Sequence, residues 1–323
     1  MQILFIIGNG FDLNLGLKTK YSDFYEYYKN IKSDKESIRK LKNHLNNNID
    51  TWSDLEKSLG EYTEFINSEE EFDEVFEDIG DRLGEYLKLQ EDQYIFDGLD
   101  IENLYTYLGS PESPLSRADQ NRILPFKDRW KKWNVNIITL NYTTSLDRLL
   151  GENTSNLKIG NFNETGIFLK SFEHLHGYCD NRMIIGVNDL TQLKNVKFHK
   201  NLNITEAIIK ANCNKSLKHT IDDLCKRQIS SANLICIFGS SIGDTDKIWW
   251  ELIGERLKED DSILIIYDKC EDIPSRIAYK KARKEREMKT RFLSKTNLNQ
   301  SEIEIISDKI FVGINTEMFK LSK

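Results

Sequence analysis

The sequence contains little proline and glycine, and its cysteines show no paired spacing. Its 323 residues include only 4 Pro and 17 Gly, which excludes a collagen-like or Pro/Gly-rich low-complexity chain. No two of the 5 cysteines form a Cys-x-x-Cys pair, so neither a zinc site nor a thiol-exchange motif is predicted. We expect reduced thiols, as in a cytoplasmic protein.

Long apolar runs are missing as well. No stretch approaches the roughly 18 residues of a membrane-spanning helix, and the apolar start at Met1–Gly8 follows no basic segment. This start predicts a buried strand and not a signal peptide. The expected location is therefore the cytoplasm, without membrane contact.

Neither sign of charge dominates strongly. Lys+Arg 45 against Asp+Glu 52 gives a net charge of −7, which does not favour a globally basic nucleic-acid binder. A local exception is Arg276–Lys295, with nine Lys or Arg against two Glu. Its helical spacing favours a solvated helix, although such a stretch also suits phosphates or an acidic partner, which leaves nucleic acid open as a partner.

Continuous apolar runs mark the strands, as expected for a sheet that is covered on both faces. Five runs are clear and a sixth, Met183–Val187, is weaker. The five are Ile3–Ile7, Val135–Leu140, Leu234–Phe238, Ile263–Tyr267 and Ile310–Ile314. Helical stretches separate most of them, which predicts an α/β protein with a mostly parallel, Rossmann-like sheet.

The long segment between the first two strands shows helical periodicity instead. The predicted helices are Tyr21–Ile31, Lys35–Asn48, Trp52–Ile66, Glu70–Leu89 and, after a linker at 109–114, Arg117–Trp133. We therefore predict a nucleotide-binding core formed by residues 1–19 and 115–323, and a helical insertion formed by residues 20–114.

Two glycine-containing turns follow predicted strands, and ligands of open parallel sheets bind at the carboxyl ends of strands. Gly8–Asp12 allows close backbone approach and a phosphate at a helix N-terminus, with Asp12 capping the helix or binding a ribose hydroxyl. The second turn, Phe238–Asp246, offers small residues whose amides and hydroxyls suit a phosphate. The expected ligand contacts are Gly8, Asn9, Gly10, Asp12, Gly239, Ser240, Ser241 and Asp244.

Two further strand ends carry candidate catalytic groups. The amide of Asn141 can fix a sugar or a water, or can simply cap the next helix. His176, which precedes Gly177, is the candidate general base. His174 and His176 are spaced to share a metal, but no third ligand has a suitable spacing, so no metal is expected. The sequence has no P-loop and no Gly-x-Ser-x-Gly elbow, which argues against P-loop and serine-hydrolase chemistry.

In this order, the segments resemble the bacteriophage abortive infection AbiH family. The matching stretches are Gly8–Thr19, Tyr21–Phe24, Trp52–Glu56, Leu140–Thr143, His174–Gly177, Ile185–Asp189 and Phe238–Asp246. The resemblance implies a role in bacterial defence against phage, through harm to the infected cell or its arrest. It leaves room for a phage-derived trigger or partner protein and for a homo-oligomer.

A more distant similarity to sirtuin-like NAD-binding folds bears on the chemistry. It rests on the order and spacing of Gly8–Asp12, Gly16–Lys18, Asn141, His176-Gly177 and Gly239–Ser241. This resemblance implies NAD as ligand or substrate, with Gly8 and Gly10 near the diphosphate and Asn141 and His176 near the nicotinamide ribose. Asn9 and Asp12 depart from the small residues of that pattern. The zinc-binding cysteines of sirtuins are also absent, which argues against a protein deacylase.

The leading hypothesis is an NAD-hydrolysing effector in which Asn141 orients ribose or water and His176 acts as general base. The alternative is a metal-dependent nuclease or nucleotide hydrolase that uses Asp12, Glu56, Asp244 and Asp246. It is motivated by Trp52–Glu56, because the NAD hypothesis gives no role to Asp54 and Glu56. A non-catalytic nucleotide sensor is the third alternative.

Overall fold

A seven-stranded sheet forms the centre of the computed structural model, which describes residues 1–151 and 154–321. The strands are β1 (Gln2–Ile7), β2 (Trp133–Thr139), β3 (Leu157–Phe162), β4 (Thr165–His174), β5 (Leu234–Phe238), β6 (Ile263–Asp268) and β7 (Ile310–Ile314). Their order in the sheet is β3-β4-β2-β1-β5-β6-β7. All neighbours are parallel except the antiparallel pair β3 and β4.

This sheet confirms the predicted α/β class and the mostly parallel arrangement. The Rossmann-like and sirtuin-like assignments remain predictions. The predicted strand at Met183–Val187 is wrong, because only Val187 forms an isolated bridge, to Ile209. The segment is apolar because it is buried among helices: a Cβ added at Gly186 would lie 1.9 Å from the carbonyl oxygen of Ile208.

Helices surround the sheet and fill the chain between β1 and β2. They are α1 (Gly10–Leu15), α2 (Tyr21–Tyr28), α3 (Glu36–Asn47), α4 (Leu55–Tyr62), α5 (Glu69–Gln93), α6 (Ile101–Gly109), α7 (Arg117–Lys127), α8 (Ser145–Leu150), α9 (Leu202–Ile208), α10 (Lys210–Ser216), α11 (Ile221–Ser231), α12 (Lys247–Leu257), α13 (Tyr279–Ser294) and α14 (Gln300–Ser307). Among the described helices, none has both the length and the apolar character needed to cross a bilayer.

Three predicted helices are shorter than expected, and the first of them, Tyr21–Ile31, ends at Tyr28. Trp52–Ile66 is reduced to α4, whose N-terminus is capped by the Asp54 carboxylate accepting a hydrogen bond from the Lys57 amide at 3.1 Å. Short 3₁₀ turns flank that helix on both sides. Arg117–Trp133 is also too long, because α7 ends at Lys127 and Trp133 already begins β2, with its side chain buried against the sheet.

Three clusters of buried side chains hold the molecule together. Successive side chains of a strand point to opposite faces of the sheet, so the side chains of β1 belong to two clusters. Ile3, Phe5 and Ile7 lie in the first cluster, and Leu4 and Ile6 lie in the second. The third cluster joins α2–α5 with residues 185–209. Helix α6 packs in the first cluster, on the sheet. The division into residues 20–114 and the remainder stays a prediction.

The turns after β1 and β5 cross in direct backbone contact. The Gly10 amide donates a hydrogen bond to the Gly239 carbonyl at 2.8 Å. A Cβ added at Gly10 would lie 2.4 Å from the Gly239 Cα, and one added at Gly239 would lie 2.6 Å from the Gly10 Cα. Both glycines are therefore required for the two turns to pack.

Gly10→Ala should lower the free energy of unfolding by about 1–3 kcal/mol, because the added methyl overlaps backbone that cannot rotate away. Alanine is more favourable than glycine in a helix by about 1 kcal/mol. A net loss of unfolding free energy would therefore come from the contact between the two turns. Gly160→Ala is the matched control, since nothing lies within 4 Å of its added Cβ. Urea unfolding measures both variants, and equal stabilities would contradict the packing role of Gly10.

Candidate functional site

A cleft of about 1770 Å³ opens at the carboxyl ends of the central strands. Its lining comes from the turns after β1, β2, β5 and β6 and from residues of the helical part, among them Tyr21, Tyr25 and Trp52. The cleft is larger than the roughly 300–1,000 Å³ of common small-molecule sites. It has the position at which open parallel sheets bind their ligands.

All of the predicted catalytic and ligand-binding residues line this cleft. They are Gly8, Asn9, Gly10, Asp12, Asp54, Glu56, Asn141, His176, Gly239, Ser240, Ser241, Asp244 and Asp246. Sequence positions up to 238 residues apart are therefore brought to one surface, since Gly8 and Asp246 both contribute to it. Their roles remain predictions. The contacts that each side chain makes differ, as described below for each group.

A buried ion cluster lies at the floor of the cleft. The Lys210 ammonium lies 2.8 Å from Glu56 Oε2 and 2.9 Å from Asp246 Oδ1. The same Asp246 oxygen lies 2.9 Å from His176 Nε2. Lys210 is 7% exposed and Glu56 6%, so the cation and its carboxylates compensate one another away from water.

The pKa values of this cluster follow from its charges. Burial alone would raise the pKa of Asp246, but the Lys210 ammonium and His176 outweigh it and hold that pKa below its ordinary value. Burial would likewise lower the pKa of Lys210, and Asp246 and Glu56 raise it above its ordinary value instead. Asp246 is therefore a carboxylate and Lys210 an ammonium at neutral pH.

Two tyrosines extend the cluster. The Tyr142 hydroxyl lies 2.9 Å both from Glu56 Oε1 and from the Ile184 carbonyl oxygen. Burial and the Glu56 carboxylate raise the pKa of Tyr142 well above its ordinary value, and the same two causes act on Tyr21. Both side chains therefore remain neutral phenols.

His176 and Asn141 each present one atom that has no hydrogen-bond partner among the described residues. The Asp246 carboxylate accepts from His176 Nε2 at 2.9 Å, which leaves Nδ1 as a proton acceptor without a partner. Asn141 Oδ1 is also buried and unpartnered. Buried polar atoms are normally paired with protein, water or a ligand, so these two atoms mark the part of the cleft where a ligand is expected.

His174 does not share the environment of His176. Its Nδ1 lies 3.1 Å from the Asn141 carbonyl oxygen and its Nε2 lies 2.9 Å from Asp147 Oδ2. The ring also stacks on Tyr178, with centroids 4.0 Å apart. Both nitrogens are thus engaged in holding the turn after β2, and His174 acts as a structural support for Asn141.

The glycine-containing turns are more constrained than their sequence indicated. The Gly8 amide donates to the Phe238 carbonyl at 2.9 Å, and the Gly10 amide donates to Gly239. The Asn9 side chain is bound to Thr19 through both its oxygen and its nitrogen. These groups already have partners, so the glycines act through close backbone approach and not as amide donors to a phosphate.

The four carboxylates of the nuclease alternative have different partners. Glu56 and Asp246 both contact Lys210, Asp12 accepts from the Thr143 hydroxyl at 2.6 Å, and Asp244 pairs with Lys295. A lysine ammonium thus lies between the two carboxylates that do meet. In the described part of the chain, no three His, Cys, Asp or Glu side chains are grouped so as to hold a metal.

Lys210 and Tyr142 are the principal site residues that the sequence did not single out. Lys210 follows Ile208 and Ile209, which are both buried. These two neighbouring isoleucines are the local sequence signal for the burial of Lys210. Tyr142 lies next to Asn141, within the Leu140–Thr143 stretch that carries part of the AbiH resemblance. The sequence itself gives no sign that this tyrosine contacts Glu56.

The fold and the cleft define an α/β protein with a polar cleft, a candidate ligand site, at the carboxyl edge of its sheet. A model of the family described as bacteriophage abortive infection AbiH matches residues 4–268. The chain therefore belongs to the AbiH family, which confirms that resemblance and indicates an anti-phage role in abortive infection. The comparison with curated proteins gave no significant match.

Lys210→Met should destabilise the protein by about 3–5 kcal/mol, because Glu56 and Asp246 would remain as buried charges without their cation. Lys215→Met is the matched control, since Lys215 is exposed on the same helix. Urea unfolding at neutral pH measures the difference. A loss no larger than that of Lys215→Met would mean that the cluster contributes no stability.

Asp12→Asn should change stability in a pH-dependent way. Burial raises the pKa of Asp12 to about 6, so the folded state binds this proton more tightly than the unfolded state. The resulting stabilisation is complete below pH ~4 and is lost as the pH rises through about 6. Asparagine does not titrate. The free energy of unfolding of the variant, relative to that of wild type, should therefore increase by up to ~3 kcal/mol between pH 4 and pH 7.

Urea unfolding across that pH range tests the titration of Asp12. Asp128→Asn is the matched control, because Asp128 is exposed. A stability difference between Asp12→Asn and wild type that stays constant with pH would show that folding does not shift the pKa of Asp12.

Proposed function

We propose that this AbiH protein is an abortive-infection effector that hydrolyses the bond between nicotinamide and ribose in NAD. The observation that carries the proposal is that His176 Nδ1 and Asn141 Oδ1 are buried acceptor atoms without a partner among the described residues, a property that Asp12 Oδ1 shares in the same cleft. A proton acceptor and an amide oxygen contributed by residues of the same cleft suit a reaction in which water must be positioned and deprotonated.

The geometry around His176 supports a general base. Asp246 binds Nε2 and fixes the ring orientation, which directs the proton-accepting role to Nδ1. Lys210 in turn keeps Asp246 ionised by lowering its pKa, so the carboxylate can stabilise the imidazolium that forms during the reaction. Lys210 and Asp246 are positioning residues in this scheme.

The proposed reaction consumes one water for each NAD. The bond between the anomeric carbon and the pyridinium nitrogen breaks, and its electron pair remains on nitrogen as neutral nicotinamide. The water oxygen bonds to the anomeric carbon, and His176 Nδ1 accepts the proton that water releases. ADP-ribose, nicotinamide and a proton are the products. Asn141 Oδ1 accepts a hydrogen bond from the attacking water or from a ribose hydroxyl.

The size of the cleft supports a dinucleotide over a smaller ligand. Its volume of about 1770 Å³ exceeds that of common small-molecule sites. Among the aromatic residues that line the cleft, Tyr25 and Trp52 are buried in the third cluster, whereas Tyr21 is only partly buried. The Tyr21 ring can cover a face of a nicotinamide or adenine ring.

The proposal predicts that cells expressing the wild-type protein lose NAD during phage infection and that His176→Ala cells keep it. General-base help is worth about 10²–10⁴-fold, so NAD consumption by the variant should fall by that factor. His219→Ala is the matched control, because His219 is exposed and does not line the cleft. Mass spectrometry of nucleotide pools, together with quantified nicotinamide and ADP-ribose, provides the measurement.

Two outcomes would contradict the proposal in different ways. If wild-type cells arrest with NAD intact and His176→Ala abolishes the arrest, the cleft is catalytic but its substrate is not NAD. If His176→Ala cells arrest as wild-type cells do, no general base is needed, and the nucleotide-sensor alternative is favoured. Thermal unfolding of the purified variants confirms that each one folds.

A further inference from the structure

A strongly basic segment near the C-terminus has no role in the NAD proposal. Arg276–Lys295, which includes α13, carries a net charge of +7 in a chain whose net charge is −7. All other residues together therefore carry −14. The AbiH match ends at residue 268, so this basic segment lies outside the matched region.

Most of these cations are exposed and lack ion-pair partners. The buried residues of α13 are Met288 and Phe292. No described carboxylate lies within 4 Å of the side-chain nitrogens of Lys280, Lys281, Arg283, Arg286 and Arg291, whereas Lys284 pairs with Glu287 at 2.7 Å. Like charges at positions i and i+4 destabilise a helix, so this arrangement opposes helix formation when no anion is present.

The exposed cations form a row along one face of α13. Lys280, Lys284 and Arg291 are four and seven residues apart, which places them on the same side of a helix. The row is about 16 Å long at 1.5 Å per residue. Arg291 lines the cleft at one end of this row, so the positive surface runs from solvent to the mouth of the candidate site.

An exposed aromatic ring lies at the opposite end of the row. Tyr279 is 56% exposed, and the Arg283 guanidinium lies over its ring at 4.9 Å from the centroid. A cationic track with an aromatic ring beside it is the combination by which proteins hold single-stranded nucleic acid, since phosphates bind the cations and a base stacks on the ring. An acidic protein surface would use the charges but not the ring.

We propose that α13 binds single-stranded nucleic acid, with its backbone along Lys280, Lys284 and Arg291 and one base on Tyr279. Four of the nine basic residues in Arg276–Lys295 are arginines, whose planar fork suits bidentate contacts to phosphate. This binding does not require NAD hydrolysis, and each activity can be lost without the other.

Fluorescence anisotropy of the full chain with a labelled, mixed-sequence single-stranded DNA of 20 nucleotides tests the proposal between 50 and 200 mM salt. The variant is Lys280→Gln/Arg283→Gln/Lys284→Gln. Its matched control is Lys194→Gln/Lys197→Gln/Lys200→Gln, which removes the same charge from three lysines that are exposed elsewhere. Circular dichroism melting verifies that both triple variants fold.

Wild type should bind with an affinity that falls as salt increases. The α13 variant should lower the slope of log K against log salt by about 1.4, since it removes the two phosphate contacts of Lys280 and Lys284 and each is worth about 0.7 for a single strand. Tyr279→Ala should weaken binding by about 5- to 100-fold at an unchanged slope, because stacking is worth about 1–3 kcal/mol per base and releases no counterions.

Three results would overturn the proposal. Wild type could fail to bind the oligonucleotide at 50 mM salt. The control variant could weaken binding as much as the α13 variant, which would place the binding surface elsewhere. Polyglutamate of equal charge could displace the oligonucleotide as well as unlabelled DNA does, which would indicate an acidic protein partner instead.

Discussion

The contact of the Lys210 ammonium with Glu56 and Asp246 is the interaction on which the cleft depends. Glu56 belongs to α4 in the helical part, and Asp246 precedes α12 on the sheet side. Removal of one member would leave the other buried charges uncompensated, so the Lys210 contacts hold α4 against the turn that precedes α12. His176 and Tyr142 attach to the same carboxylates, which ties the turns after β4 and β2 to this arrangement.

Two carboxyl groups of the same cleft have different pKa values, because only one of them belongs to the ion cluster. Asp246 receives a cation and keeps a pKa below its ordinary value, whereas Asp12 has no cation within ion-pair distance among the described residues and its pKa rises to about 6. Carboxyl groups whose surroundings separate their pKa values in this way can divide the roles of acid and base. Near neutral pH, Asp246 orients His176, and Asp12 is close to its titration point.

The sequence predicted the strands that are buried on both faces better than the strands that are partly exposed. Strands β1, β5 and β7 are covered on both faces, so their apolar runs are continuous and their limits were close to those observed. The hairpin of β3 and β4 lies at the edge, where exposed and buried residues mix, and it produced no such run. The rule that ligands bind at strand ends located the cleft correctly, but Lys210 comes from α10, where no sequence rule applies.

Short motifs proved more informative about position than about role. The Gly8 and Gly10 pair was expected at a diphosphate through the sirtuin-like resemblance, and both glycines do line the cleft. Their amides, however, donate to the chain itself, and a Cβ at either position would overlap the backbone of Gly239 or Ser240. The glycines are explained by the packing of two strand-end turns. A nucleotide in this cleft would therefore not be held by the amides of Gly8 and Gly10, which is why the unpartnered atoms of His176 and Asn141 carry more weight than the glycine motif.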